Sequence, residues 1–214
     1  MRRALVIGAS GGIGSALVDR LSRDHDVIGL SRSGDGLDVT DEGSVARLLG
    51  PLDPVDLCVV ATGILAPPGA EPEKSLDAID VGNLARTHAV NAIGPALVLK
   101  HLNRAPGIRV GVLTARVGSI GDNAMGGWYG YRAAKAAANQ IVHTAAIEIG
   151  RRDRAAVVVA LHPGTVETPF TARYPAHRKV TAKEAAGNLI DVLTRLTAAQ
   201  SGGFYDYSGT EVPW

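Results

Sequence analysis

The chain has 214 residues, 46% of them apolar, which suits one folded domain with a sizeable core. Its 22 basic and 21 acidic residues leave a net charge of +1, so it offers neither a basic field for nucleic acid nor an acidic tail. The single cysteine, Cys58, excludes a disulfide within the chain and a thiolate metal cluster, and none of the six histidines has a metal-ligand spacing.

The elements alternate along the chain. ALVIG (4–8) is a short apolar run that reads as a buried strand. GASGGIG (8–14) follows it and opens a helix over 13–23, with apolar spacing through Ile13, Leu17, Val18 and Leu21. DVIGLS (26–31) is a second strand, and LDV (37–39) reads as the stub of a third. Only about five residues separate those two, where a parallel crossover usually needs a dozen or more. DEGSVARLL (41–49) is a short helix, and VDLCVVA (55–61) is a buried strand that carries Cys58 as an inert thiol. A long helical region covers 83–104, and IRVGVLT (108–114) is another strand.

WYGYRAAKAAANQIV (128–142) is rich in alanine, the best helix former, and is helical from about Tyr131 onward. Arg151, Arg152 and Arg154 follow it, where cations suit the end of a helix. AAVVVAL (155–161) is a strand, AKEAAGNLIDVLTRL (182–196) a helix, and GGFYDY (202–207) a last strand. Strands alternating with helices imply an α/β fold, a single Rossmann-type domain spanning 1–214 whose doubly wound parallel sheet carries helices on both faces. No apolar stretch reaches the roughly 18–20 residues of a spanning helix. The chain also turns to glycine by Gly8, too soon for a secretory apolar region. A cytoplasmic protein with no membrane partner and no nucleic-acid partner is expected.

Two stretches carry chemistry. In GASGGIG, glycines let the backbone turn sharply, and the helix start then presents free N–H groups to phosphate. The spacing Gly8-x-x-x-Gly12-x-Gly14 stands at the first strand-to-helix junction, where doubly wound sheets bind nucleotides. The second strand ends in Ser31 and Arg32. An acidic residue there would favour NAD, whereas an arginine fork suits a 2′-phosphate, so NADP(H) is expected over NAD(H). In the alanine-rich helix, Tyr131 and Lys135 are four residues apart and face the same way. A free phenol has a pKa of about 10, and a nearby ammonium favours phenolate. The pair is a proton donor for carbonyl reduction, or an acceptor for alcohol oxidation.

Together these features resemble the short-chain dehydrogenase/reductase family over nearly the whole chain. The motifs come in that family's order: Gly8–Gly14, LDVTD with Asp38 and Val39, ATG (61–63), VNAIGP with Asn91, Tyr131–Lys135, and HPGTVETP (162–169). ARVGSIGDNAMGGWYGYRAAKAAANQ and the ending GFYDYSGTEVPW are similar to its C-factor-like subgroup. The resemblance implies that Tyr131 is the general acid/base, that Lys135 bonds the nicotinamide ribose and lowers the Tyr131 pKa, and that Asn91 holds a water in a proton relay. It also implies that Gly8, Ser10, Gly11, Gly12, Ile13 and Gly14 meet the pyrophosphate side. Ser31, Arg32, Asp38, Val39, Ala61, Thr62 and Gly63 would meet the adenosine side, and Pro163, Gly164, Val166 and Thr168 the nicotinamide.

Two departures stand out. The family's Asn-Asn-Ala-Gly segment reads Val60-Ala61-Thr62-Gly63, which leaves backbone and Thr62 to support the adenosine side. The family's carbonyl-binding serine aligns with Ala115; Ser119 is the expected replacement and Thr114 the second choice. His162 abuts the Pro163–Gly164 turn and reads as a backbone partner, not as a catalyst. Tyr129 and Trp128, with Met125, read as pocket wall or packing, and the short segment 170–181 suggests an open site and a permissive or bulky substrate. The expectation is therefore an NADP(H)-dependent oxidoreductase acting on a small-molecule carbonyl or alcohol substrate, as a homodimer. The alternative is a nucleotide-binding signalling or sensing protein with little catalysis.

Overall fold

The computed structural model describes residues 2–171 and 179–214. Six strands form one parallel sheet: β1 (Arg2–Ile7), β2 (His25–Leu30), β3 (Val55–Val60), β4 (Arg104–Leu113), β5 (Val157–His162) and β6 (Phe204–Asp206). Their order across the sheet is β2-β1-β3-β4-β5-β6. The strand order reverses beside β1, so the carboxyl ends of β1 and β3 flank the crevice where such sheets take ligands.

Period-two alternation divides the core. Leu5, Ile7, Val110, Val112, Val158 and Ala160 face one layer of helices. That layer holds α3 (Glu42–Leu49), α4 (Val81–His88), α5 (Gly94–His101) and α6 (Tyr129–Arg152). Ala4, Val6, Val157, Val159 and Leu161 face the other layer, α1 (Gly12–Leu21) and α7 (Ala182–Arg195). The inner strands are apolar on both faces over their buried lengths because both faces are covered. Cys58 is fully buried, and burial pushes its thiol up to about 12, as an inert core group requires.

Three boundaries differ from the sequence reading. Residues 37–39 form no strand. The chain after β2 makes instead a one-turn helix, α2 (Arg32–Asp35), capped by the Ser31 hydroxyl, which accepts from the Gly34 N–H at 3.0 Å. Gly36, at φ 72°, then turns it back, and the Leu37 N–H donates to Ser31 O at 3.1 Å. So short a connection cannot cross over the sheet, yet Leu37 and Val39 still bury their side chains in the core. Secondly, the long helical region runs from 81 to 101 and includes a π turn, Ala89–Ile93, between α4 and α5. Thirdly, β4 begins at Arg104, earlier than the apolar run alone suggests.

Candidate active site

At the end of β1 the backbone itself forms the cradle. Gly8 adopts φ 88°, and a Cβ on Gly14 would lie 2.0 Å from the Gly8 carbonyl oxygen, so only glycine allows α1 to start this close to the strand. Ser10, Gly11 and Gly12 are exposed on the crest, with Ile13 half-buried behind them. The first turn of α1 has no side-chain cap and no acidic residue, which leaves its N–H groups for an anion. The loop after β5 reaches this turn: a Cβ on Gly12 would lie 2.6 Å from the Thr168 methyl. Gly164, at φ 78°, turns that loop between the buried Pro163 and Val166.

The adenosine side is more varied. Arg32 is exposed at the start of α2, while the Ser31 hydroxyl is occupied as its cap. Asp38 Oδ1 accepts from the Thr40 N–H at 2.9 Å and the Thr40 hydroxyl at 2.6 Å, which holds its carboxyl below the usual range. Val39 is a core residue packed on Gly94. After β3, the Ala61 N–H donates to Ile7 O at 2.8 Å, the Thr62 hydroxyl is buried without a partner, and Gly63 is exposed. The glycine cradle and the unpartnered Thr62 hydroxyl fit a dinucleotide along this edge.

Tyr131, Lys135 and Asn91 converge at the far end of that edge. All three are buried. Lys135 Nζ donates to Leu113 O at 2.9 Å and lies 5.8 Å from the Tyr131 ring centroid. Asn91, inside the π turn, clips the loop after β3 in two places: Oδ1 accepts from the Ile64 N–H at 3.0 Å, and Nδ2 donates to Ile64 O at 2.8 Å. Such turns occur often at functional positions. A Cβ on Gly63 would lie 3.0 Å from Asn91 Oδ1 and 3.5 Å from Lys135 Nζ, so all three groups share one corner.

Burial pushes the Tyr131 phenol well above its ordinary value and pulls Lys135 down to about 8. Tyr131 opens into a cavity of about 430 Å³. Its wall is largely apolar, with Leu65, Val117, Met125, Trp128 and Phe170, and its polar groups include Arg116, Arg132, His162 and Thr165. Trp128 packs edge-on against Tyr131 at 6.3 Å, and Phe170 tilts against it at 6.0 Å. Trp128 is the one described non-glycine residue at positive φ, 53°, directly after Gly126 and Gly127, both at 65°. Strain of this kind collects at functional sites.

Comparisons with known proteins give the family. A family model described as enoyl-(acyl carrier protein) reductase matches residues 10–199. A 1-hydroxy-2-glutathionyl-2-methyl-3-butene dehydrogenase of Rhodococcus is 33% identical over the full length of both chains. The chain belongs to the short-chain dehydrogenase/reductase family. It is an NAD(P)-dependent oxidoreductase of that family. The C-signal protein of Myxococcus xanthus is 36% identical over 146 residues, which cover 65% of this chain and 84% of that protein. Among solved structures, the NADPH-bound carbonyl reductase from chicken fatty liver superposes with a TM-score of 0.82 at 22% identity, covering 100% of this chain and 99% of that one. Carbonyl reductase Sniffer of D. melanogaster gives 0.79 at 20% identity, with both chains fully covered. At those identities the two structures show the shared fold.

One expected member of the short-chain dehydrogenase/reductase site is not brought to it. Ala115 lines the cavity; Ser119 does not. After Ala115 the chain makes a 3-10 turn, Arg116–Gly118, packed so tightly on α6 that a Cβ on Gly118 would lie 2.8 Å from Lys135. That turn carries Ser119 past the cavity. Its hydroxyl is spent on the Asp122 N–H at 3.1 Å, and the neighbouring Gly121 N–H donates to Trp214 O at 2.8 Å. Sequence spacing alone favours Ser119; the turn carries its hydroxyl away from the cavity. Thr114, the second choice, is buried with its hydroxyl unpartnered and is not part of the cavity wall either.

Two supporting residues escape the sequence reading. Glu73 is buried, and its Oε2 accepts from the Gly130 N–H at 3.0 Å, capping the start of α6 one residue before Tyr131. A carboxylate there also suits the helix dipole. Arg132 ties the cavity rim together by donating to Gly126 O, Gly127 O and Val117 O. Neither gives a local signal, since Glu73 lies 57 residues from the helix it caps. Of the segment 170–181, residues 172–178 lie outside the described residues, and so does the reading of it as a short lid. Among the described residues no helix is long and apolar enough to cross a membrane, and no cluster of His, Cys, Asp and Glu could hold a metal.

Proposed function

We propose that the protein is an NADP(H)-dependent reductase of an aldehyde or ketone, with Tyr131 as the proton donor. The observation that carries this reading is the buried Tyr131–Lys135–Asn91 corner opening into a largely apolar cavity. When bound, the nicotinamide supplies the hydride. Gly8, Ser10, Gly11, Gly12, Ile13 and Gly14 hold the pyrophosphate side, and Ala61, Thr62, Gly63 and Asp38 hold the adenosine side, with Val39 behind it. Pro163, Gly164, Val166 and Thr168 form the turn against the nicotinamide. Arg32 is the one exposed cation at the end of β2 and favours the 2′-phosphate of NADP(H), with Ser31 fixing its turn.

The carbonyl oxygen takes the Tyr131 proton as it becomes an alcohol. Burial keeps the phenol protonated, which is the state that reduction needs. Lys135, with its value near 8, still carries its proton at neutral pH and steadies the phenolate left behind. Asn91 and Lys135 share one corner beside Gly63, and a water held there returns the proton to Tyr131. The substrate is small and substantially apolar, as Leu65, Val117, Trp128 and Phe170 demand.

A homodimer is part of the proposal, because α4, the π turn and α6 expose Val81, Ile93 and Ile147; a monomer in sedimentation would refute it. The functional test is turnover of a panel of aldehydes and ketones with NADPH and with NADH. Wild type should prefer NADPH, and Arg32→Asp should shift that preference toward NADH by about tenfold or more, the value of a charge-assisted hydrogen bond. Unchanged preference would remove Arg32 from the account, and no turnover with either nucleotide would sink the reductase reading.

A further inference from the structure

One half-buried ring, His162, remains without a role at the floor of the cavity. β5 turns Val158 and Ala160 into the core beneath α6. Side chains repeat every two residues along a strand, so His162 falls on the same face, where the sheet ends and the cavity begins. Its ring lines the cavity with Ala115 and Tyr131. Nδ1 is sealed from solvent and has no hydrogen-bond partner.

Burial pulls His162 down to about 4, with Asp206 opposing that shift and Arg116 adding to it. The imidazole is therefore neutral near pH 7, with one N–H and one bare nitrogen. A proton on Nδ1 would be a buried donor without an acceptor, a costly arrangement. The proton belongs on Nε2, which makes that nitrogen a donor. A carbonyl oxygen is the acceptor such a donor suits.

The other polar groups of the wall are mostly committed. Arg116 Nε bonds Asp122 at 2.5 Å, and Arg132 donates to three backbone carbonyls. The resemblance puts the family's carbonyl-binding serine at Ala115, which lines the cavity with a methyl group that cannot donate. We propose that His162, through its Nε2–H, binds and polarises the substrate carbonyl in place of the hydroxyl missing at Ala115. The proposal rests on the reductase reading and supplies the residue that reading lacks.

The test uses the full chain, NADPH, and an aldehyde panel that includes p-nitrobenzaldehyde. Removing one preorganised donor to a developing oxyanion costs a factor of about 10²–10³ in kcat. His162→Leu should show that loss with NADPH affinity unchanged, and His162→Gln, which keeps a donor, should lose less. The deciding variant is the double substitution His162→Leu with Ala115→Ser. Restoring the serine should recover kcat to within about tenfold of wild type if the lost contact is a hydrogen bond to substrate.

A structural role for His162 would give no such rescue. His162→Leu with normal kcat overturns the proposal, as does a folded, NADPH-binding double variant that stays inactive. It is also overturned if Thr165→Val, and not His162→Leu, carries the loss. An inactive wild type beside an active Ala115→Ser overturns it too, because the site would then be incomplete as it stands. The reductase reading fails separately, when neither protein turns over any carbonyl or when Tyr131→Phe is as active as wild type.

Discussion

At the end of β1 the ligand faces backbone: Gly8, Gly11, Gly12 and Gly14 leave N–H groups and open space, and side chains are nearly absent. At the cavity it faces side chains drawn from several separate segments: Leu65, Ala115, Trp128, Tyr131, His162 and Phe170. The first surface is fixed by what glycine permits at one turn, and it serves any nucleotide with a pyrophosphate. The second depends on how far each loop travels before it turns, and under the proposed function it sets which carbonyl is accepted. A family can therefore keep the first while varying the second, and the resemblance puts one such variation at Ala115.

The contrast can be broken at either end. Tyr131→Phe should have the largest effect, a loss of about 10²–10⁴ in kcat from removal of general-acid catalysis, with nucleotide binding intact in a titration. Gly12→Val comes next. Its Cβ would press on the Thr168 methyl at 2.6 Å, and overpacking of this kind costs about 1–3 kcal/mol, to be read in thermal unfolding and in nucleotide affinity. Glu73→Ala should cost about 1 kcal/mol, the worth of a helix N-cap, and lower kcat by loosening the first turn of α6; an unchanged melting point would show that Glu73 caps nothing of consequence. Ser119→Ala should be the mildest, with turnover within about threefold of wild type, since its hydroxyl makes a neutral bond to the Asp122 N–H and touches no substrate.

Lys135 gives a separate test through stability. Its folded value near 8 lies below its ordinary 10.5, so between those values the unfolded chain binds more protons. Stability should then rise with pH from about 8 upward on account of this group. Tyr131 and Cys58 act in the opposite sense at higher pH, because burial raises both. The comparison is therefore wild type against Lys135→Met across pH 8 to 10, where the variant should lack the rising contribution. Parallel curves would mean that Lys135 is not desolvated in solution.

The glycine cradle and the Tyr131–Lys135 pair were legible in the sequence because each rests on a local rule: what a tight turn permits, and which residues share a helix face. The layered sheet was legible because alternating apolar runs have no other economical packing. The stub at 37–39 misled, since its buried Leu37 and Val39 look like strand residues while serving a turn. Ser119 misled for a related reason: its distance from Tyr131 along the chain is suitable, but the 3-10 turn at Arg116–Gly118 directs it elsewhere. Glu73 gave no local signal, and His162, which reads as a backbone partner, leaves its Nδ1 without one. Their places depend on contacts between segments far apart in the chain, which spacing cannot reveal.

The measurement that tests the central claim most directly is a single turnover. Protein saturated with NADPH is mixed with excess p-nitrobenzaldehyde, and the loss of NADPH is followed beside Tyr131→Phe loaded to the same occupancy. The account predicts rapid oxidation of one NADPH per wild-type site and a rate lower by about 10²–10⁴ in the variant, although both bind the nucleotide equally. Equal rates in the two proteins would contradict it, because the proton would then come from a group other than Tyr131.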